Sequence, residues 1–205
     1  MTTLSKLAES LAYSFGKDKD ELFIDQLKDR ILHFRNIAIK REYEKTNLYA
    51  QSLTYTIFCI PVESVEDNPC GEGVVCVGRT PIIPKPLILK YSEPFISVSN
   101  TLISGKKRNI SYIVPEALEY LQYRRFTGDK PHCTYINDRL YFVNTTVKEI
   151  NIRALWDNPI EAKKFNDNIG CQQSNDNFLD DDLIIDDLLA GIITTFITNA
   201  STSQK

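Results

Sequence analysis

Four residues have the types to do chemistry together: Cys70, Cys76, His132 and Cys133 offer three thiols and an imidazole. Such a set could hold a tetrahedral zinc ion, or pair a thiolate nucleophile with a base. The five glycine-rich residues between Cys70 and Cys76 depart from the short zinc knuckle, and a Cys–His pair would also need an oxyanion hole. The five cysteines, at 59, 70, 76, 133 and 171, are odd in number and irregular in spacing, so free reduced thiols are expected. His33 falls inside a helical pattern and reads as a surface or boundary residue.

A second set is acidic: Asp180, Asp181, Asp182, Asp186 and Asp187 could gather oxygens around a divalent cation. The run lacks the glycine and terminal glutamate of an EF-hand loop, and capping of a helix N-terminus explains it more simply. A third is basic: Lys106, Lys107 and Arg108 follow Gly105 in a breaker-flanked turn and are the candidates for contact with a phosphate backbone or a neighbouring acidic surface. Tyr112, Tyr120, Tyr123, Tyr135 and Tyr141 with Arg124 and Arg125 would suit an interface, though their spacing places most of the tyrosines half in a core. Phosphate-binding, dinucleotide-binding, zinc-protease and nucleophile-elbow motifs are all missing from the sequence. No catalytic residue, cofactor or metal is expected.

The elements that must position these residues change character along the chain. Leu4, Leu7, Ala8, Leu11, Ala12 and Phe15 recur at helical spacing after Thr2 or Thr3, and Gly16 ends that helix. From Asp20 to about Lys45 a longer stripe of Ile24, Leu27, Ile31, Phe34 and Ala38 predicts a second helix, with Lys28, Asp29, Arg35, Lys40, Arg41 and Glu44 on its other faces. Residues 53–60 are rich in β-branched and aromatic types and predict a strand stopped by Pro61. Weaker strands are expected at 74–77, 87–90, 95–99 and 109–113, among prolines and glycines that exclude long helices. Pro115 suits the first turn of a short helix to about Arg125.

Cys133–Ile136 and Leu140–Val143 flank Asn137-Asp138-Arg139 as a hairpin, and a third strand over 147–155 is expected to complete a meander. Asp157-Asn158-Pro159 ends it and opens a short helix through Phe165. Residues 166–182 read as an acidic loop, followed by a C-terminal helix from Leu183 whose first turn carries Asp180 to Asp182. Beyond Asn166, seven aspartates against Lys205 give a net charge of −6, which leaves +3 on the rest of a chain whose total is −3. The expected fold is α+β: a helical bundle from both chain ends with an inserted antiparallel, sandwich- or barrel-like β-rich domain. Its expected segments are a helical pair at 1–47, the β-rich domain at 48–165, the acidic loop at 166–182, and the C-terminal helix at 183–205, which packs on the N-terminal helices.

With 42% apolar and 25% charged residues the chain can bury a core, and no apolar run approaches the roughly 20 residues of a membrane helix. The N-terminus lacks the apolar stretch of a secretory signal, so synthesis in a cytosol is expected. The net charge argues against tight sequence-specific nucleic-acid binding but permits a conduit to which DNA must not stick.

Three stretches together resemble a known family: Tyr120-Leu-Gln-Tyr-Arg-Arg125, Tyr135-Ile-Asn-Asp-Arg-Leu-Tyr-Phe-Val-Asn144 and Ile150-Asn-Ile-Arg-Ala-Leu-Trp-Asp-Asn-Pro159. Over about residues 110–165 the plan is similar to the ring, neck or tail-adaptor structural proteins of crAss-like and other short-tailed bacteriophages, including podovirus tail tubular adaptors. The helical ends agree in outline, and the Cys-rich loop at 68–78 has no place in that plan. The resemblance implies a non-enzymatic virion subunit, made in the bacterial host cytoplasm. It implies a homo-oligomeric ring of twelve copies beside the portal and neighbouring tail rings, with DNA passing through the lumen and no membrane involved. No catalytic residue carries over. The rival classes are a small metal-dependent or thiol enzyme and a monomeric phage-encoded binding module; light scattering beside metal content separates them.

Overall fold

The computed structural model describes residues 2–65, 70, 74–101, 107–123, 130–171, 178–179 and 182–202. In chain order the elements are β1 (Thr2–Thr3), α1 (Leu4–Ser14), α2 (Glu21–Thr46), a 3-10 turn (Gln51–Leu53), β2 (Tyr55–Pro61), β3 (Glu63–Ser64), β4 (Cys76–Arg79), β5 (Ser97–Thr101) and β6 (Lys107–Tyr112). A 3-10 helix (Pro115–Tyr123) follows, then β7 (His132–Ile136), β8 (Arg139–Val143), β9 (Glu149–Ala154), α3 (Pro159–Ile169), β10 (Phe178–Leu179), β11 (Asp182–Ile185) and α4 (Asp187–Thr202). The fold is mixed α+β and forms two compact units, one of residues 1–53 with 174–205 and one of residues 54–173.

In the first unit, α1 buries Leu4, Leu7, Ala8, Leu11 and Ala12, the stripe its spacing predicts. Gly16, at φ +69°, takes the left-handed turn that lets Lys17 N–H return to the Ala12 carbonyl at 2.9 Å. The Asp20 carboxylate opens α2 by accepting from Phe23 N–H at 3.1 Å, and left-handed Asn47 closes it. Leu27, Ile31 and Ala38 are buried along α2, with Leu32 and Ile39 beside them. Arg35, expected off the apolar stripe, is also withdrawn from solvent. It is buried, with one guanidinium nitrogen on Asn36 Oδ1 at 3.0 Å and another on the Leu53 carbonyl at 3.4 Å, so hydrogen bonds meet the cost of burying its charge. α4 packs on α2 through stacked Phe34 and Phe196, centroids 5.7 Å apart, with the Arg41 guanidinium 5.0 Å from the Phe196 ring.

The C-terminal helix begins at Asp187 and not at Leu183. Asp182–Ile185 is a strand, antiparallel to β1 on one side and β10 on the other, with Leu183 and Ile185 buried in alternation. Four residues of Asp-Leu-Ile-Ile satisfy either period, and pairing with Thr2 and Thr3 decides for the strand.

The second unit is a sheet in the order β2-β9-β5-β6-β7-β8-β4-β3. Its two edges, β2 and β3, are consecutive stretches of chain separated only by Val62, so the sheet curls back on itself into a nearly closed barrel. At that seam Gly78 approaches Val62, where an added Cβ would stand 2.8 Å from a valine methyl. The core holds Ile57, Val98, Phe142, Ile152 and fully buried Trp156, whose indole N–H donates to the Tyr55 carbonyl at 2.8 Å.

Several expectations change here. The sheet is not wholly antiparallel: β6 and β7, between which the 3-10 helix stands in sequence, pair in parallel and so cannot be joined by a tight hairpin. The hairpin β7–β8 forms on Asn137 and Asp138, both at positive φ, but the meander does not. β9 leaves β8 and inserts between β2 and β5, where Ile152 lies in register with Ile57 and Val98. Residues 87–90 form no strand; only an isolated Pro86–Trp156 bridge lies there. Residues 115–123 are 3-10, and α3 runs to Ile169, so 166–169 is helix and not loop.

The expectation of five free thiols is overturned. The structure pairs Cys59 with Cys171 and Cys70 with Cys76, each with Cα atoms 6.0 Å apart, and leaves Cys133 free and buried. Cys59 sits at a bulge of β2 at φ +56°, where Phe58 and Cys59 N–H groups donate to Asn166 and Asn151 side chains at 2.8 and 3.0 Å. Because α3 packs on β2, residues 112 apart become neighbours, a closeness that spacing along the chain does not show.

Candidate functional site

The thiol and imidazole set does not form a centre. Cys70 and Cys76 lie in an apolar cluster with Val74, Ile113, Leu118 and Leu121. Burial, with the Glu93 charge second, pushes the Cys133 thiol far up, so it stays protonated and is a poor nucleophile at neutral pH. His132 precedes it on a strand, where successive side chains leave by opposite faces. No group of three or more metal-ligating side chains occurs among the described residues. His33 is exposed on α2.

The described aspartates act on helix ends, although not on the helix the sequence suggests. Asp182, on β11, accepts from Ser5 N–H at 3.0 Å and so caps the N-terminus of α1, 177 residues away in sequence. Asp186 caps α4 through Leu188 N–H at 2.9 Å, and Asp187 accepts from the Thr2 hydroxyl at 3.3 Å. Asp180 and Asp181 lie outside the described residues.

Two of the basic triplet fall where β6 begins, at the end of the β5–β6 hairpin where the chain connects the two strands. Lys106 lies outside the described residues; Lys107 and Arg108 are the first residues of β6, in register with Thr101 and Asn100. They therefore belong to a strand end and not to a free turn, and Arg108 is exposed. Ladder pairing fixes the backbone that carries them, which suits a charge held at a set position better than a loop would.

The tyrosines divide. Tyr141 is buried, and Tyr112 and Tyr135 meet buried Phe95 edge-on, at 6.1 and 5.3 Å. Burial, with lesser help from Cys133, Glu116 and Glu93, pushes Tyr112 up to about 12. Tyr135 is also raised, first by burial and then by its 2.8 Å hydrogen bond to Asp138. Tyr120 and Tyr123 are exposed on the 3-10 helix, while Arg124 and Arg125 lie outside the described residues. Surface features the sequence did not flag are apolar: Leu48, Ile88, Tyr91 and Leu188 all stand largely exposed. For Ile88 the available signal was its place between Leu87 and Leu89, where alternation sends it outward.

Charges that cap and pair, half-buried tyrosines and exposed apolar side chains suit a subunit of an assembly. The chain belongs to the family described as phage tail ring protein 2, whose model, of the crAss ring type, matches residues 6–202 and so takes in both units. No curated protein matches it. It is thus a structural component of a phage tail, located in the virion tail and assembled with other tail proteins. No helix among the described residues is long and apolar enough to cross a membrane.

Proposed function

We propose that twelve copies of this chain form a closed ring in the portal–tail region of the virion, a conduit through which DNA passes between head and tail. The observation that carries this is the family match over nearly the whole chain, 6–202. The subunit is made in the bacterial host cytoplasm and joins the portal and neighbouring tail rings. It needs no enzyme activity, cofactor or metal, and it contacts DNA without reading its sequence.

Lys106, Lys107 and Arg108 are the residues assigned to the lumen. Each phosphate neutralised strengthens DNA binding, and a ring multiplies one basic hairpin end by its subunit number, so a sparse belt suffices. Contact with the acidic surface of an adjoining ring is the other use the same charges fit. Replacing all three by serine is expected to leave the subunit's melting unchanged while impairing tail assembly or DNA ejection. Imaging of the virions distinguishes the two, and normal assembly with normal infection would exclude both.

A further inference from the structure

A closed ring of more than two copies needs two different, complementary patches on every subunit, because only a head-to-tail contact can be repeated around an axis. The chain carries such a pair. In the second unit, Lys85–Tyr91 is pinned by Asp157 N–H to the Lys85 carbonyl at 3.0 Å and by Leu87 N–H to the Leu155 carbonyl at 2.7 Å. Leu87 and Leu89 are buried, which turns Ile88 outward, and Tyr91 is 94% exposed. Tyr91 also has φ +63°, a left-handed conformation that is costly for a bulky residue. The Lys90 ammonium lies 5.1 Å from its ring, and Lys85, 72% exposed at its side chain, keeps a loose 4.0 Å contact with Asp138. The segment carries two lysines and no acid.

In the first unit, an apolar groove of about 540 Å³ runs along the C-terminal half of α2, residues 47–53 and the first turns of α4. Largely exposed Leu48 and Leu188 line it with Ile39 and Ile192, and its charged lining residues are Glu42 and Asp186. An apolar floor with an acidic rim is the chemical complement of an apolar segment with two lysines.

We propose that Ile88 and Tyr91 of one copy seat in the α2–α4 groove of the next copy around the ring, with Lys85 and Lys90 facing Glu42 and Asp186. This rests on the ring proposed above. The strained turn holds the tyrosine out ahead of contact, and a pre-positioned aromatic anchor loses little freedom on binding.

The test places a photo-crosslinking p-benzoylphenylalanine at Tyr91 in assembled virions. Irradiation is expected to give covalent dimers of this chain, with the linked peptide drawn from residues 38–53 or 186–192. Links to another tail protein, to another part of this chain, or within single chains would overturn the proposal, as would the absence of dimers. A second variant, Tyr91→Gly, relieves the left-handed strain, so its subunit is expected to melt at or above the parent while assembling about tenfold less. Normal assembly of that variant would also overturn it. Electron microscopy of unmodified virions checks the ring separately: rings present with crosslinks elsewhere refute this contact alone, whereas tails with no ring of this chain refute both.

Discussion

The two units are built on different kinds of information. The first takes its order from helices whose apolar stripes and caps can be read within one turn or two: Leu27, Ile31 and Ala38 on α2, Asp20 before it, Asn47 after it. The second takes its order from pairings between distant stretches, β2 with β9 and β5 with β9, and from one buried indole reaching the Tyr55 carbonyl. A local change should therefore be absorbed in the first unit and propagate in the second.

The largest expected effect tests that contrast at Trp156. Truncation to alanine removes the largest fully buried side chain and its hydrogen bond to β2, at a cost of about 3–5 kcal/mol. The near-ultraviolet signal of the barrel is expected to melt far below the parent, while helical circular dichroism survives at temperatures where the barrel has opened. Simultaneous loss of both signals would show that the units do not differ in this way.

The contrast also explains what could be read from the sequence. α1, α2 and the β7–β8 hairpin were legible because their signals are short-range: a stripe, a cap, an Asn-Asp turn. The place of β9 was not, since Ile150, Ile152 and Ala154 define a buried face but not which strand they will meet. Neither was the pairing of Cys59 with Cys171, which exists only once α3 lies on β2. The burial of Arg35, set apart from the apolar stripe by its charge, is not legible because hydropathy takes no account of the carbonyl and amide that satisfy it. Of the candidate sites, residue types are legible and partners are not: Asp186 caps the C-terminal helix, as the acidic run suggests, yet Asp182 serves α1 and not the helix that follows it. The hairpin-end lysine and arginine were found as charge, without the strand that carries them.

A smaller effect probes a place where the helical unit borrows a long-range contact. Asp182→Ala strips the acceptor from Ser5 N–H at the start of α1, with an expected cost of about 1 kcal/mol. For a unit of this size that corresponds to roughly 4–8 °C in melting temperature. Hydrogen exchange at the first turn of α1 is expected to quicken while the barrel amides keep their rates. Equal quickening in both units would mean that the cap is not local.

The smallest effect separates the units by pH, since every cysteine lies in the second. Burial raises the Cys133 thiol above its ordinary 9.0, so the native barrel holds that proton more tightly than the unfolded chain does. The associated stability is complete below pH 9 and is lost as pH rises from there toward the native value. Tyr112 and Tyr135, also raised, add losses of the same sign only above their ordinary 10.0, with Tyr112 reaching about 12. Barrel stability is therefore expected to start falling near pH 9, and in Cys133→Ala to stay level until about pH 10. The substitution also leaves a small cavity that lowers stability at every pH, so the measurement to compare is the slope between pH 9 and 10, taken from denaturant melts. An unchanged slope in the variant would show that Cys133 is not the group whose ionisation opens the barrel first.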